Sequence, residues 1–263
     1  MITPPDFPTG TPNWLDLGSP DIDAAVAFYG GVFGWSFQGL GQEAMGYGFF
    51  QIDGKTVAAV GPLTEEGATS AWTTYFSTPS ADDAAKTAVE AGGTVRVEPF
   101  DVFDAGRMAC LTDPTGAEFA VWQGNTTKGV DIACQPNTFL WTELHTGDVP
   151  AATAFYRTLF GWRSEVMEMP GMSYTVVSTA EGEDQGQAAF GGICPPMDEG
   201  APTHWVPYFD VEDPDDISRR VEAGGGTVLV PAENIPEVGR IAWYADPAGA
   251  TFAVLKPDPQ QGG

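Results

Sequence analysis

The chain has 263 residues, with 36 acidic against 11 basic side chains and a formal net charge of −25. That balance excludes the basic patches with which nucleic-acid binders displace counterions, and it disfavours anionic membranes. The acids are spread along the chain, as in a highly soluble protein. No stretch reaches the roughly 18 apolar residues that a spanning helix needs. The N-terminus "MITPPDFPTG" has neither the basic nor the apolar segment of a signal peptide. Cys110, Cys134 and Cys194 are odd in number and form no CxxC pair, so a reducing cytoplasm is the expected compartment.

In chain order, "NWLDLG" alternates like a strand, and "SPDIDAAVAFYGGVFGW" opens a helix. Ser19 is placed to cap it, Pro20 suits its first turn, Asp21 and Asp23 complement its dipole, and the glycine before Trp35 can end it. "YGFFQID" and "TVAAVGPL" read as short strands around a "DGK" turn. A second round follows: strand "AWTTYFST", helix "SADDAAKTAVEAGG", then strands "TVRVEPF", "GRMACLTD" and "AEFAVWQ".

The whole series then recurs. "VAFYGGVFGW" (26–35) answers "TAFYRTLFGW" (153–162), "VEAGGTV" answers "VEAGGGTV", and "DPTGAEFAV" (113–121) answers "DPAGATFAV" (246–254). Arg107 and Arg240 each follow a glycine just upstream of that last motif. The offset is 127 early and 132–133 late, because the second copy carries a longer loop, "STAEGEDQGQ". Self-similarity of this length means a duplicated structural unit. The expected organisation is a first domain at 9–124, a linker at 125–136 and a second domain at 137–257, each built of two βαβββ modules.

That series, with "FY…FGW", "EAGG" and "DP.GA.FAV" in their places, resembles the vicinal oxygen chelate superfamily. Glyoxalase I, extradiol dioxygenases and bleomycin-binding proteins belong to it. The resemblance covers nearly the whole chain and is nearest to two-domain actinobacterial proteins labelled glyoxalase-like or hydroxylase-like. It implies an α+β fold in which four βαβββ modules pair into two tandem eight-stranded open cups, each binding a small molecule on its concave face. Metal-using members hold a divalent ion there. The resemblance places their first ligand at Trp14 and Trp141, the next near Thr73 and Val206, and the last at Ala120 and Ala253. None of these six side chains is a usual metal ligand. The expectation is therefore no metal at those positions and no cofactor.

Strand parity puts residues two or four from a ligand position on the same face. In the first cup these are Asp16, Tyr75, Glu118 and Trp122, beside Trp14. In the second they are Glu143, His145, His204 and Tyr208, beside Trp141. Both histidines of the chain fall in the second cup, where His145, Glu143 and His204 are candidates for proton transfer. The alternative is that both histidines are edge residues with satisfied hydrogen bonds, and a shifted metal site on Glu143, His145 and His204 is a third reading. Asp16 and Glu118 either share a proton, sit at the rim, or hold Arg107. Trp72 and Trp205 join Trp14 and Trp141 as expected walls for a planar apolar ligand, whereas Trp35 and Trp162 read as core. Met167, Met169 and Met172 mark either a lid or a loop packed on its own domain.

No GxGxxG before a helix, GxxxxGK[ST] or GxSxG occurs. The function expected is metal-independent binding, with acid–base transformation, of a small aromatic or polyketide-like metabolite by a monomer or homodimer. An enzyme of this kind would be a lyase, an isomerase or a hydroxylase-type oxidoreductase. The alternatives are a non-enzymatic metabolite- or antibiotic-binding protein and a metal-dependent lyase or dioxygenase with a non-standard site.

Overall fold

The structure, a computed structural model, describes residues 2–64, 67–169, 172–179, 188–197 and 200–258. Residues 180–187 of the longer loop in the second copy lie outside these. Each half folds as two βαβββ modules. The first half runs β1 (Pro12–Ser19), α1 (Ile22–Phe33), β2 (Ser36–Gly39), β3 (Gly48–Ile52), β4 (Lys55–Pro62), then β5 (Ala71–Ser77), α2 (Ala81–Glu90), β6 (Thr94–Val102), β7 (Gly106–Thr112) and β8 (Glu118–Gly124). The second runs β9 (Phe139–His145), α3 (Val149–Phe160), β10 (Arg163–Met169), β11 (Met172–Ser178), β12 (Ala189–Cys194), then β13 (His204–Asp210), α4 (Pro214–Ala223), β14 (Thr227–Ile235), β15 (Gly239–Ala245) and β16 (Thr251–Pro257).

The sixteen strands form two eight-stranded mixed sheets with the same order, β2-β3-β4-β1-β5-β8-β7-β6 and β10-β11-β12-β9-β13-β16-β15-β14. This is the tandem glyoxalase-type fold that the repeat implies. In each module the strand before the helix pairs in parallel with the last strand, β1 with β4, β5 with β8, β9 with β12 and β13 with β16. No helix among the described residues is long and apolar enough to cross a membrane.

Helix ends follow local chemistry, with one correction. The cap of α1 is Asp21, whose carboxylate accepts from the Ala24 N–H at 3.0 Å, and not Ser19. Ser19 closes β1 instead, and its hydroxyl accepts from the Asp21 N–H at 3.2 Å. An acidic cap two residues on outcompetes the hydroxyl because it also faces the positive end of the helix dipole. Gly34 ends α1 with φ of 75°, a conformation costly for any side chain, and Gly161 does the same for α3.

Packing divides the chain into two compact units that do not coincide with the sequence halves. One comprises Met1–Trp14, Thr73–Gly129 and Trp141–Val206; the other comprises Leu15–Trp72, Val130–Leu140 and Pro207–Gly263. Each takes one module from each half. The repeated motifs explain why. In the second unit the buried Tyr29 of "FYGGVFGW" accepts the Trp72 indole N–H at 3.0 Å and donates to Asp246 of "DPAGATFAV" at 3.2 Å. In the first unit Tyr156 accepts from Trp205 at 3.0 Å and is set against Asp113 of "DPTGAEFAV". Both phenols are pushed well above their ordinary pKa, chiefly by burial and then by the facing carboxylate. Around each tyrosine stands an aromatic core: Phe33, Trp35, Phe50, Phe209 and Phe252 in one unit, Phe76, Phe119, Phe160 and Trp162 in the other.

The other oxygen of each aspartate holds its own turn. Asp113 Oδ1 accepts from the Thr115 and Ala117 amides at 2.7 and 3.0 Å, and Asp246 Oδ1 accepts from Ala248 and Ala250 at 2.9 and 2.8 Å. Arg107 and Arg240 are equally structural. Arg107 grips Asp82 of α2 at 2.7 and 2.9 Å, and Arg240 grips Asp215 of α4 at 2.8 Å through both contacts.

Tyr29→Phe strands the buried Trp72 indole N–H and an Asp246 oxygen, and Tyr156→Phe strands the buried Trp205 indole N–H. Tyr29→Phe and Tyr156→Phe are each expected to cost about 1–3 kcal/mol of unfolding free energy. Urea denaturation checks this: the midpoint should fall while the slope stays unchanged.

Candidate active site

The distinctive chemistry of the chain sits at the end of β9. Trp141, Glu143 and His145 alternate onto the sheet face opposite the helices, while Thr142 and Leu144 are buried on the other. Glu143 and His145 are both almost completely buried, at 6 % and 4 % exposure. His145 Nε2 lies 2.8 Å from Glu143 Oε2. Tyr174 on β11 accepts the Trp141 indole N–H at 3.0 Å and passes its own hydroxyl proton toward Glu143. The phenol is held well above its ordinary pKa, first by burial and then by the charge of Glu143. The chain Trp141→Tyr174→Glu143←His145 thus gives the carboxylate two donors, as a buried charge requires. Facing a carboxylate, Nε2 is the ring nitrogen placed to donate.

Two neighbours complete the group. Parallel pairing sets Cys194 of β12 opposite His145 and Gly192 opposite Glu143. Burial, and then Glu143, push the Cys194 thiol far up, so it is a neutral thiol. His204 opens β13 with its ring stacked on that of His145, centroids 5.4 Å apart and planes at 25°. Its Nδ1 donates to the Pro202 carbonyl at 2.8 Å, and burial lowers its pKa. A Cβ at Gly192 would run into the Tyr174 ring and hydroxyl, so a side chain there would push the phenol out of this chain.

The register shows what the first half has instead. Where His145 faces Cys194, Gly18 faces Gly61; where His204 opens β13, Ala71 opens β5. Asp16 takes the place of Glu143 and accepts from Tyr47 at 3.3 Å, the counterpart of Tyr174. The first sheet therefore keeps an acid and a phenol and lacks both imidazoles and the thiol.

Other sequence candidates are dispersed. Trp14 and Tyr75 are buried on their strands. Trp122 donates to the Thr127 carbonyl at 2.8 Å and lies over Gly106. Glu118 is an exposed residue paired with Arg96 at 3.0 Å. It neither shares a proton with Asp16 nor holds Arg107, whose partners are Asp82 and Asp101. Trp205, expected to line a ligand, is corrected: it is 4 % exposed and faces α3, bonded to Tyr156, because it alternates with His204 and Val206. Trp72 faces α1 for the same reason. Tyr208 stands edge-on to Trp243, centroids 5.8 Å apart. Met167 and Met172 are exposed on β10 and β11, so these methionines belong to strands and not to a loop. Tyr174, Cys194 and Gly192 escaped the sequence reading; Tyr174 was visible at the early offset from Tyr47, 127 residues before it.

The comparisons with known proteins fit this picture. A profile of the Glyoxalase/Bleomycin resistance protein/Dioxygenase superfamily matches residues 11–121, and a bleomycin resistance protein-like N-terminal profile matches 138–180. CFP32 of Mycobacterium tuberculosis, provisionally named a glyoxylase, is 38% identical over 97% of this chain and 98% of its own. The chain belongs to the glyoxalase/bleomycin resistance/dioxygenase superfamily. Another member, the anthracycline biosynthesis protein DauV of a Streptomyces species, is 36% identical over 95% of this chain and 94% of its own. Among solved structures, a Mn(II)-bound glyoxalase from Novosphingobium aromaticivorans superposes with a TM-score of 0.63 at 17% identity, covering 96% of this chain and 89% of that one. A 2,2′,3-trihydroxybiphenyl 1,2-dioxygenase from Sphingomonas wittichii does so with 0.66 at 12% identity, covering 94% and 90%.

Some superfamily members bind metal. Indole, isopropyl and methyl groups at Trp141, Val206 and Ala253 do not fit a divalent ion. Glu143, His145 and Cys194 are a metal-competent group, with donor atoms all within 4.8 Å of one another. The 2.8 Å between Glu143 and His145 is the hydrogen-bonded form of the pair; two ligands at about 2.0–2.1 Å from one tetrahedral ion would stand about 3.3 Å apart, so an ion there would replace that hydrogen bond.

Because Glu143 sets the tautomer, Glu143→Gln should redistribute the proton between the two ring nitrogens of His145. Nitrogen-15 chemical shifts of the imidazole are expected to report mainly Nε2–H in the parent and a mixture in the variant. Identical spectra would refute the dyad.

Proposed function

We propose that this protein binds a small, planar aromatic or polyketide-like metabolite on the helix-free face of its second sheet. It transforms that metabolite by metal-independent acid–base chemistry. The observation that carries the reading is the buried Glu143–His145 pair beside the Trp141 indole. In this reading His145 Nδ1 removes a proton from a carbon acidified by a neighbouring carbonyl. Glu143 stabilises the imidazolium that forms, and His204 Nε2 is the second imidazole within reach of the same face. Returning the proton to another carbon completes an isomerisation; losing a leaving group completes a lyase reaction. Trp141 offers an aromatic wall. Kinship with a protein named for anthracycline biosynthesis supports the polyketide-like ligand class.

A second reading, sequestration of a metabolite without turnover, is favoured by one observation. The first sheet keeps its aromatic residues but carries Gly18, Gly61 and Ala71 where the second has His145, Cys194 and His204.

The test assays polycyclic quinones and anthraquinones by fluorescence titration and by turnover in the presence of chelator. His145→Ala is expected to lower turnover about 100- to 10,000-fold with the fold intact. For a binding protein the same change would weaken affinity only by about 1–3 kcal/mol, and Trp141→Ala would do more. If neither variant alters turnover or affinity, the second sheet is not the working face.

A further inference from the structure

We propose that Glu143, His145 and Cys194 form a binding site for a borderline-soft divalent cation, zinc, that competes with the acid–base form of the dyad. The three donors are a carboxylate oxygen, an imidazole nitrogen and a sulfur, all buried, and they lie within 4.8 Å of one another. Nitrogen, oxygen and thiolate ligands together select zinc over magnesium or calcium. Rigid elements supply them: Glu143 and His145 are two apart on one face of β9, and Cys194 is the direct strand partner of His145. Opening the Glu143–His145 separation from 2.8 Å to about 3.3 Å accommodates tetrahedral bond lengths.

Charge closes the argument. One zinc ion, one carboxylate and one thiolate sum to zero around a neutral imidazole, the cheapest arrangement for ions out of water. On binding, Nε2 and Sγ take the metal, the Nε2 proton moves to Nδ1, and the thiol proton is released to solvent. The lone pair that would serve as base is thereby lost, so zinc switches the site off. The sites differ from those of metal-using relatives, since Trp141, Val206 and Ala253 contribute nothing.

The experiment uses full-length protein with Cys110→Ser and Cys134→Ser, leaving Cys194 as the single thiol. Cobalt(II), a spectroscopic substitute, and zinc are titrated in without any organic ligand. The expected result is one ion bound per chain, a thiolate-to-cobalt charge-transfer band, intense four-coordinate d–d absorption, displacement by zinc, and release of one proton per ion. Cys194→Ser should remove the charge-transfer band, and His145→Gln, with circular dichroism confirming the fold, should weaken binding at least about tenfold. Absence of a stoichiometric ion, or a charge-transfer band that survives Cys194→Ser, overturns the proposal. Because no substrate is involved, that failure leaves the acid–base reading standing, and failure of the latter leaves the zinc site standing.

Discussion

The structure depends on two buried aspartates that each answer to two masters. One oxygen of Asp246 closes its own turn through the Ala248 and Ala250 amides, and the other takes the Tyr29 hydroxyl from the opposite sequence half. Asp113 holds its turn in the same way and faces Tyr156. A carboxylate at this depth is tolerable only when donors surround it. The turn supplies amides from nearby in sequence, and the phenol, itself polarised by a tryptophan N–H, comes from far away. This is why "DP.GA.FAV" and "FY…FGW" must recur together: each copy of one motif completes the copy of the other in the opposite half. The compact units cut across the repeat as a consequence. Strand pairing follows the halves, while the aromatic packing outside the sheets follows the exchanged motifs.

With the scaffold fixed symmetrically, chemistry is free to diverge on the other side of the sheets. Asp16 with Tyr47 and Glu143 with Tyr174 are the same acid–phenol pair in two copies. Only the second copy adds His145, Cys194 and His204, at strand positions where glycine or alanine serves in the first. None of those substitutions touches the tyrosine cores. A sheet whose buried aromatic side carries stability can change its opposite face residue by residue, since alternation keeps the two sets of side chains apart.

Much of this was legible from the chain. Period-two alternation and the double repeat located β1, β3 to β9, β11 to β16 and helices α1 to α4, and parity put Glu143 and His145 on one face. Three failures have physical causes. Ser19 lost the helix cap to Asp21 because propensity ranks hydroxyl and carboxylate alike and ignores which backbone conformation the strand leaves behind. Trp205 was read as a ligand wall by analogy with Trp141, although its position between His204 and Val206 turns it toward α3. Cys194 had no sequence signal, since its meaning comes from strand pairing that only the register reveals, and Tyr174 had only its offset from Tyr47, which says nothing of the acid that it faces. The division into units was equally invisible, because nothing in one half states which tyrosine its aspartate will meet.

The charge that dominates the composition acts on the site from outside. At physiological ionic strength the screening length is about 8 Å, so distant surface carboxylates are largely screened from any single group, yet a net charge of −25 still sets the sign of the potential an approaching molecule meets. Anionic ligands such as phosphorylated metabolites are repelled; neutral planar molecules and cations are not. Within the site Glu143 adds one more buried negative charge, held by the Tyr174 hydroxyl and the His145 imidazole. A phosphate or carboxylate substrate would find repulsion both on approach and on arrival. In the proposed reading a neutral aromatic ketone would meet an indole, an imidazole and a carboxylate that balances the imidazolium, so the net charge and Glu143 act together to narrow the class of molecule that reading admits.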